Sequence, residues 1–123
     1  MIWKMSGDRP VYQQIISLIR GAVLSGEYPP GSRIPSVREL ASQARVNPNT
    51  MQRALSELER EGLLVGAGTA GRCVTADQAV LEQTRQTVIR ELARECAEKF
   101  LALGLTPSQG AELLRALEKE KEE

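Results

Sequence analysis

The chain has 123 residues with 16 Lys+Arg, 16 Asp+Glu and no His, so its formal net charge is zero. That length allows one compact domain, or a small domain with an appendage. The missing histidines remove the commonest metal ligand, general base and pH switch, and neutrality speaks at first against a phosphate-rich partner.

The zero is a cancellation. Residues 1–75 carry nine bases against six acids, a balance of +3, and residues 76–123 carry seven against ten, a balance of −3. Two cysteines, Cys73 and Cys96, stand 23 positions apart without C-x-x-C spacing. Neither a zinc framework nor a disulfide scaffold is expected from them; they read as small buried hydrophobes in a reducing cytosol. No apolar run reaches the roughly 18 residues of a membrane span, so a soluble cytoplasmic protein without membrane contact is expected. The aromatic residues are one Trp, two Tyr and one Phe, which predicts an aliphatic core and argues against a base-stacking surface for single strands.

The first helix is predicted over Val11–Leu24, where Ile15, Leu18, Ile19, Ala22 and Val23 recur at spacings of three and four. Pro10 can open it, and Gly26 lies just past its end. The loop Tyr28-Pro-Pro-Gly-Ser-Arg-Ile-Pro35 cannot be regular helix. Ser36-Val-Arg-Glu39 then reads as a capping box for a short second helix, whose stripe is Val37, Leu40, Ala41 and Ala44. Asn47-Pro48 starts a third helix with Met51, Ala54, Leu55 and Leu58 facing inward, and Gly62 ends it. Short strands are predicted at Leu63–Val65 and Arg72–Thr75, joined by the turn Gly66-Ala-Gly-Thr-Ala-Gly71. Three helices and a terminal hairpin describe a winged helix-turn-helix.

From about Asp77 the texture changes. Residues 77–102 contain neither Gly nor Pro and predict one long helix, with a stripe of Leu81, Thr84, Val88, Leu92, Cys96, Phe100 and Leu103. Thr106-Pro-Ser-Gln109 is a second capping box, opening a last helix with Ala111, Leu113, Leu114 and Leu117 on its apolar side. The tail Glu118–Glu123 is expected to fray. Two helices cannot bury so wide an apolar surface alone, so a homodimer is expected, with packing back onto the first domain as the monomeric alternative. The expected fold is mainly α with a small β-hairpin: a winged helix-turn-helix over 1–75, then a two-helix dimerisation region over 76–123. Leu81, Val88, Leu92, Cys96, Phe100, Leu113, Leu114 and Leu117 are the expected dimer contacts.

Gly66-Ala-Gly-Thr-Ala-Gly71 satisfies G-x-G-x-x-G, yet that dinucleotide fingerprint works only where a strand enters the turn and a helix leaves it. Here the exit is the β-type segment Arg72-Cys-Val-Thr75, so a flexible hairpin tip is expected. The third helix is more informative. Its outer face carries Asn47, Asn49, Thr50, Gln52, Arg53 and Ser56, types that can bond adenine and guanine edges or meet the thymine methyl. Taken alone, such a face reads as the ordinary solvated side of a helix. The tight turn before it, Arg38 on the preceding helix and Arg33 in the loop shift the balance toward major-groove recognition. Met1-Ile-Trp3 is expected to be an arm packed on the domain or the dimer partner.

Pro10-Val-Tyr-Gln-Gln-Ile15, Pro30-Gly-Ser-Arg-Ile-Pro-Ser-Val-Arg-Glu-Leu-Ala41, Asn47-Pro-Asn-Thr-Met-Gln-Arg-Ala-Leu55 and Leu58-Glu-Arg-Glu-Gly62 closely resemble the DNA-binding domain of GntR-family bacterial transcription regulators. The resemblance covers about residues 8–75, and Asn-Pro-Asn-Thr with a short C-terminal region is similar to the YtrA-like subfamily. It implies a homodimeric regulator of double-stranded operator DNA, often a repressor of an ABC-transporter operon. It also implies that Arg38, Asn47, Asn49, Thr50 and Gln52 contact DNA, with Arg53 a neighbouring candidate. The wing departs from the family pattern, because Arg72 is its sole base, and a weakened minor-groove contact is expected. No enzyme activity, metal or cofactor is expected. An unidentified small-molecule effector, at the dimer interface or between domains, is the remaining expected partner. The rival reading is a winged-helix protein-interaction adaptor without DNA readout.

Overall fold

The computed structural model describes residues 1–68 and 71–122. Thr69 and Ala70 of the expected hairpin turn, and Glu123 of the tail, lie outside the described residues. The order is α1 Val11–Leu24, α2 Val37–Ala44, α3 Pro48–Arg60, β1 Leu64–Gly66, β2 Arg72–Val74, α4 Gln78–Ala102 and α5 Pro107–Glu122. Two compact units result, Met1–Gln83 and Thr84–Glu123.

Each boundary in the first unit has a local cause. The Ser36 hydroxyl accepts from the Glu39 amide at 3.1 Å and starts α2, and the Asn47 side chain accepts from the Asn49 amide at 2.8 Å and starts α3. Gly62, with φ 87°, ends the recognition-helix candidate in the left-handed conformation expected of a C-terminal glycine. The Leu63 amide then donates back to the Leu58 carbonyl at 3.1 Å, so β1 begins one residue later than the sequence pattern predicts. β1 and β2 pair antiparallel, Leu64 opposite Val74 and Gly66 opposite Arg72.

One element was not legible in the pattern. The loop segment Gly31–Ile34 lies along β2: the Gly31 amide donates to the Val74 carbonyl, Val74 to Ser32, and Ile34 to Arg72, at 2.8–3.0 Å. The wing is therefore held on a third backbone segment that contains Arg33. Ile15, Ile19, Leu40, Met51, Leu55, Leu58, Leu63, Leu64 and Val74 form the fully buried centre, all aliphatic or Met as composition requires. Trp3, with Met1 and Met5, packs on this core. Its arm is tied down by buried Gln14, whose carboxamide accepts from the Ser6 amide at 2.7 Å and donates to the Ser6 and Arg9 carbonyls at 2.8 Å.

The first compact unit runs on to Gln83 and includes Leu81. This leucine is only 4% exposed and belongs to the core of the first unit, together with half-buried Val80. Asp77 caps α4 by accepting from the Ala79 amide at 3.0 Å, which turns the first helical residues onto that core. Leu81 is thus spent inside the first unit rather than offered on a dimer stripe.

The second unit is a helical pair. The Thr106–Gln109 capping box forms in both directions, at 2.8 and 3.1 Å. Gly110 lies against the Phe100 ring and is the one buried residue of this unit among the described residues. Val88, Cys96 and Phe100 are half-buried, whereas Ile89, Leu92, Leu101, Leu103, Leu113, Leu114 and Leu117 are all at least half exposed. Leu103 falls beyond the end of α4 rather than on its stripe. α5 is helical to Glu122, and Lys119 and Lys121 in its last turn suit the negative end of the helix dipole. Cys73 and Cys96 are free thiols and half-buried rather than fully buried. No helix is long and apolar enough to cross a membrane among the described residues.

Candidate nucleic-acid interface

The apolar side of α3 decides which of its polar residues face outward. Met51, Ala54, Leu55 and Leu58 are buried, at most 1% exposed, and this orientation leaves Asn49, Gln52, Arg53 and Ser56 exposed and Thr50 half-buried. Asn47 has committed its carbonyl oxygen to the helix cap, so its amide nitrogen is the part left for another partner. The Gln52 amide donates to the Ser56 hydroxyl at 3.2 Å, one turn on, which holds its side chain along the outer face. Three residues, Arg45 to Asn47, separate α2 from α3.

Charge is sorted along this helix. The acids Glu57, Glu59 and Glu61 gather at its C-terminal end, and each is matched by an arginine. Glu57 takes Arg60 through both carboxylate oxygens, Glu59 takes Arg72 at 3.3 Å, and Glu61 takes Arg20 at 2.6 Å. The hydrogen bond from Arg60 holds the Glu57 carboxyl below its ordinary range against an opposing burial effect, and the charges of Arg60, Arg53 and Arg20 add to the lowering. Such exposed pairs contribute little stability. Their importance is cancellation of negative charge. Arg33, Arg38 and Arg45 are exposed, with no carboxylate partner among the described residues.

Arg38 stands at a groove of about 290 Å³ between the start of α2, α3 and the wing, with Leu55, Gly71 and Arg72 also in its lining. The two arginines share this groove but differ in availability. Arg38 is exposed, whereas Arg72 is half-buried and turned to Glu59. Gly66 leaves room for that tie, since a Cβ there would lie 3.1 Å from the Glu59 Oε1. The one base of the wing is therefore engaged at the end of α3.

Two features escaped the sequence pattern. Arg45 is exposed in the turn just before α3 and adopts φ 57°, the left-handed region where glycine or asparagine is usual. Its signal was a base two residues before the Asn-Pro helix start. Arg53 does not extend freely: its guanidinium carbon lies 3.7 Å from the centre of the Tyr12 ring on α1. No periodicity within one helix could reveal that contact, because it joins two helices.

Residues 11–74 match the family model described as bacterial regulatory proteins, gntR family. The chain is 32% identical over 106 residues to the HTH-type transcriptional regulator YhcF of Bacillus subtilis, spanning 86% of this chain and 88% of that protein. It is 37% identical over 87 residues to the HTH-type transcriptional repressor YtrA of the same organism, spanning 70% and 67%. A solved GntR family transcriptional regulator from Listeria monocytogenes matches with a TM-score of 0.80 at 29% identity, over 94% of this chain and 98% of that one. The fold, the exposed face of α3 and these likenesses converge: the chain belongs to the GntR family of bacterial regulatory proteins, as a DNA-binding transcriptional regulator with YtrA among its relatives.

Proposed function

We propose that this regulator is a cytoplasmic repressor that binds an inverted-repeat operator as a homodimer, with the N-terminal turn of α3 in the major groove. The observation that carries the reading is the sorting of charge: Glu57, Glu59 and Glu61 are neutralised while Arg33, Arg38 and Arg45 have no carboxylate partner among the described residues. Asn49, Thr50 and Gln52, with the Asn47 amide, take base edges; Arg33, Arg38 and Arg45 take phosphates. Arg72 serves chiefly to hold the wing through Glu59. Repression follows the name of the relative YtrA, and an ABC-transporter operon as target follows the subfamily resemblance.

Dimerisation is supported by the second unit, where all leucines but half-buried Leu105 stay exposed while its one buried residue is a glycine, among the described residues. A helical pair with so little interior gains most by closing against a second copy about a two-fold axis. Leu92, Leu113, Leu114 and Leu117, with half-buried Val88, Cys96 and Phe100, are the proposed contacts. The adaptor reading loses its main support, because zero net charge conceals an unpaired basic surface.

Anisotropy titrations on operator and random duplexes separate the roles. Arg38→Ala weakens both duplexes alike, whereas Asn49→Ala or Gln52→Ala narrows the difference between them, by about 1–3 kcal/mol per base contact. Equal losses on both duplexes for all three variants would contradict the readout assignment. Sedimentation equilibrium should give twice the chain mass; a monomer would remove the two-fold operator from the account.

A further inference from the structure

Arg53 and Glu57 lie one turn apart on α3, the i, i+4 spacing at which opposite charges pair on a helix. They do not pair here. Glu57 gives both carboxylate oxygens to Arg60, one of them at 3.2 Å from Nε. Arg53 instead lies with its guanidinium carbon 3.7 Å from the centre of the Tyr12 ring. The ring is a firm platform: Tyr12 is half-buried and packs on the core of the first unit, and the Gln13 amide donates to its hydroxyl at 3.3 Å.

Both residues line a groove of about 380 Å³ between α1 and α3. Its charges are divided. Arg9 and Arg53 stand toward the start of α1, whereas Glu57 and Glu61 stand further along, where Arg20 pairs with Glu61. A guanidinium stacked on a ring occupies its flat face and leaves its in-plane N–H donors at the edge. A guanidinium paired with Glu57 would spend those donors on a carboxylate. At an exposed site a cation–π stack favours its geometry about two- to fivefold, and an i, i+4 ion pair about twofold or less. Removing the ring therefore tips the balance toward Glu57.

We propose that Tyr12 is a positioning residue for DNA binding: its ring holds Arg53 away from Glu57, so that the guanidinium edge stays available to a backbone phosphate. This rests on the DNA-binding reading above and adds an α1 residue to the site. Tyr12 touches no DNA in this role and acts through Arg53.

The experiment uses the full chain and a fluorescently labelled duplex of the DNA upstream of its own gene, with circular dichroism to confirm folding. Tyr12→Leu should bind about threefold more weakly than the parent, and Tyr12→Phe, which keeps the ring, should retain more affinity than Tyr12→Leu. Adding Glu57→Gln should raise the affinity of Tyr12→Leu by more than it raises that of the parent, restoring most of the loss; a purely structural role of Tyr12 would give equal gains in both backgrounds. In an Arg53→Ala background, Tyr12→Leu should have no further effect on binding. Arg53→Lys leaves the core intact and supplies the same contrast if Tyr12→Leu does not fold: it should weaken binding, and Glu57→Gln should again restore it. Parent-like affinity of Tyr12→Leu, or equal losses with and without Glu57→Gln, overturns the proposal. Failure of the parent chain to bind any duplex overturns the DNA-binding reading itself.

Discussion

Gly110 sits inside α5, where propensity alone says alanine should be better by about 1 kcal/mol. The packing says otherwise. A Cβ at this position would lie 2.4 Å from Phe100 Cδ2, 2.6 Å from Cε2 and 2.8 Å from Cγ. Contact at Cγ means that spinning the ring gives no relief; the whole side chain has to move. Overpacking of this kind costs about 1–3 kcal/mol, so the net effect of Gly110→Ala is a loss of about 1 kcal/mol despite the better helix former. With Phe100→Leu in the background the obstruction shrinks, and the same substitution should become stabilising. The two effects should differ by about 2 kcal/mol, within the range measured for residues in contact. Urea unfolding of the four proteins, followed by far-ultraviolet circular dichroism, reads this directly. If Gly110→Ala stabilises the parent, or acts equally in both backgrounds, the glycine is not there to admit the ring.

Three further outcomes are expected. Arg45→Gly should relieve a left-handed residue and raise stability by up to about 1 kcal/mol, while weakening DNA binding and flattening its salt dependence by about one phosphate contact; unchanged binding would remove Arg45 from the interface. Gln14→Leu should cost about 1–3 kcal/mol by leaving the Ser6 and Arg9 backbone groups without partners, and should shift Trp3 emission to the red; unaltered emission would mean that Gln14 does not hold the arm. Burial, helped by the Glu27 charge, raises the Tyr28 phenol above its ordinary 10.0, so the folded state favours the neutral form. Its stabilising contribution is therefore present below that ordinary value and is lost as pH rises through the folded-state value. Tyr28→Phe should lack this alkaline loss, and parallel stability curves for the two proteins would contradict it.

Much of the fold was legible because its signals are local. Ser36, Asn47 and Thr106 cap the helices they precede, and Gly62 and Gly104 adopt the positive φ expected after helix ends. What escaped depends on residues far apart in sequence. Leu81 reads as part of a long stripe, but Asp77 starts α4 against the first unit and uses that leucine there. Gly31–Ile34 carries no strand pattern, and its pairing comes from the free edge of β2. At the site, the face of Asn49, Gln52 and Arg53 followed from helical period. The pairing of Glu59 and Glu61 did not, because Arg72 and Arg20 reach them across the fold. That pairing leaves Arg33, Arg38 and Arg45 as exposed bases without a carboxylate partner among the described residues.

The central claim, sequence-specific recognition by the exposed face of α3, is tested most directly by equilibrium binding of the full chain to its own upstream DNA and to a scrambled duplex across a salt series. The account expects the upstream duplex to be bound at least about a thousandfold more tightly, with affinity for both falling steeply as salt rises. Equal affinity for the two duplexes, or binding indifferent to salt, would contradict it.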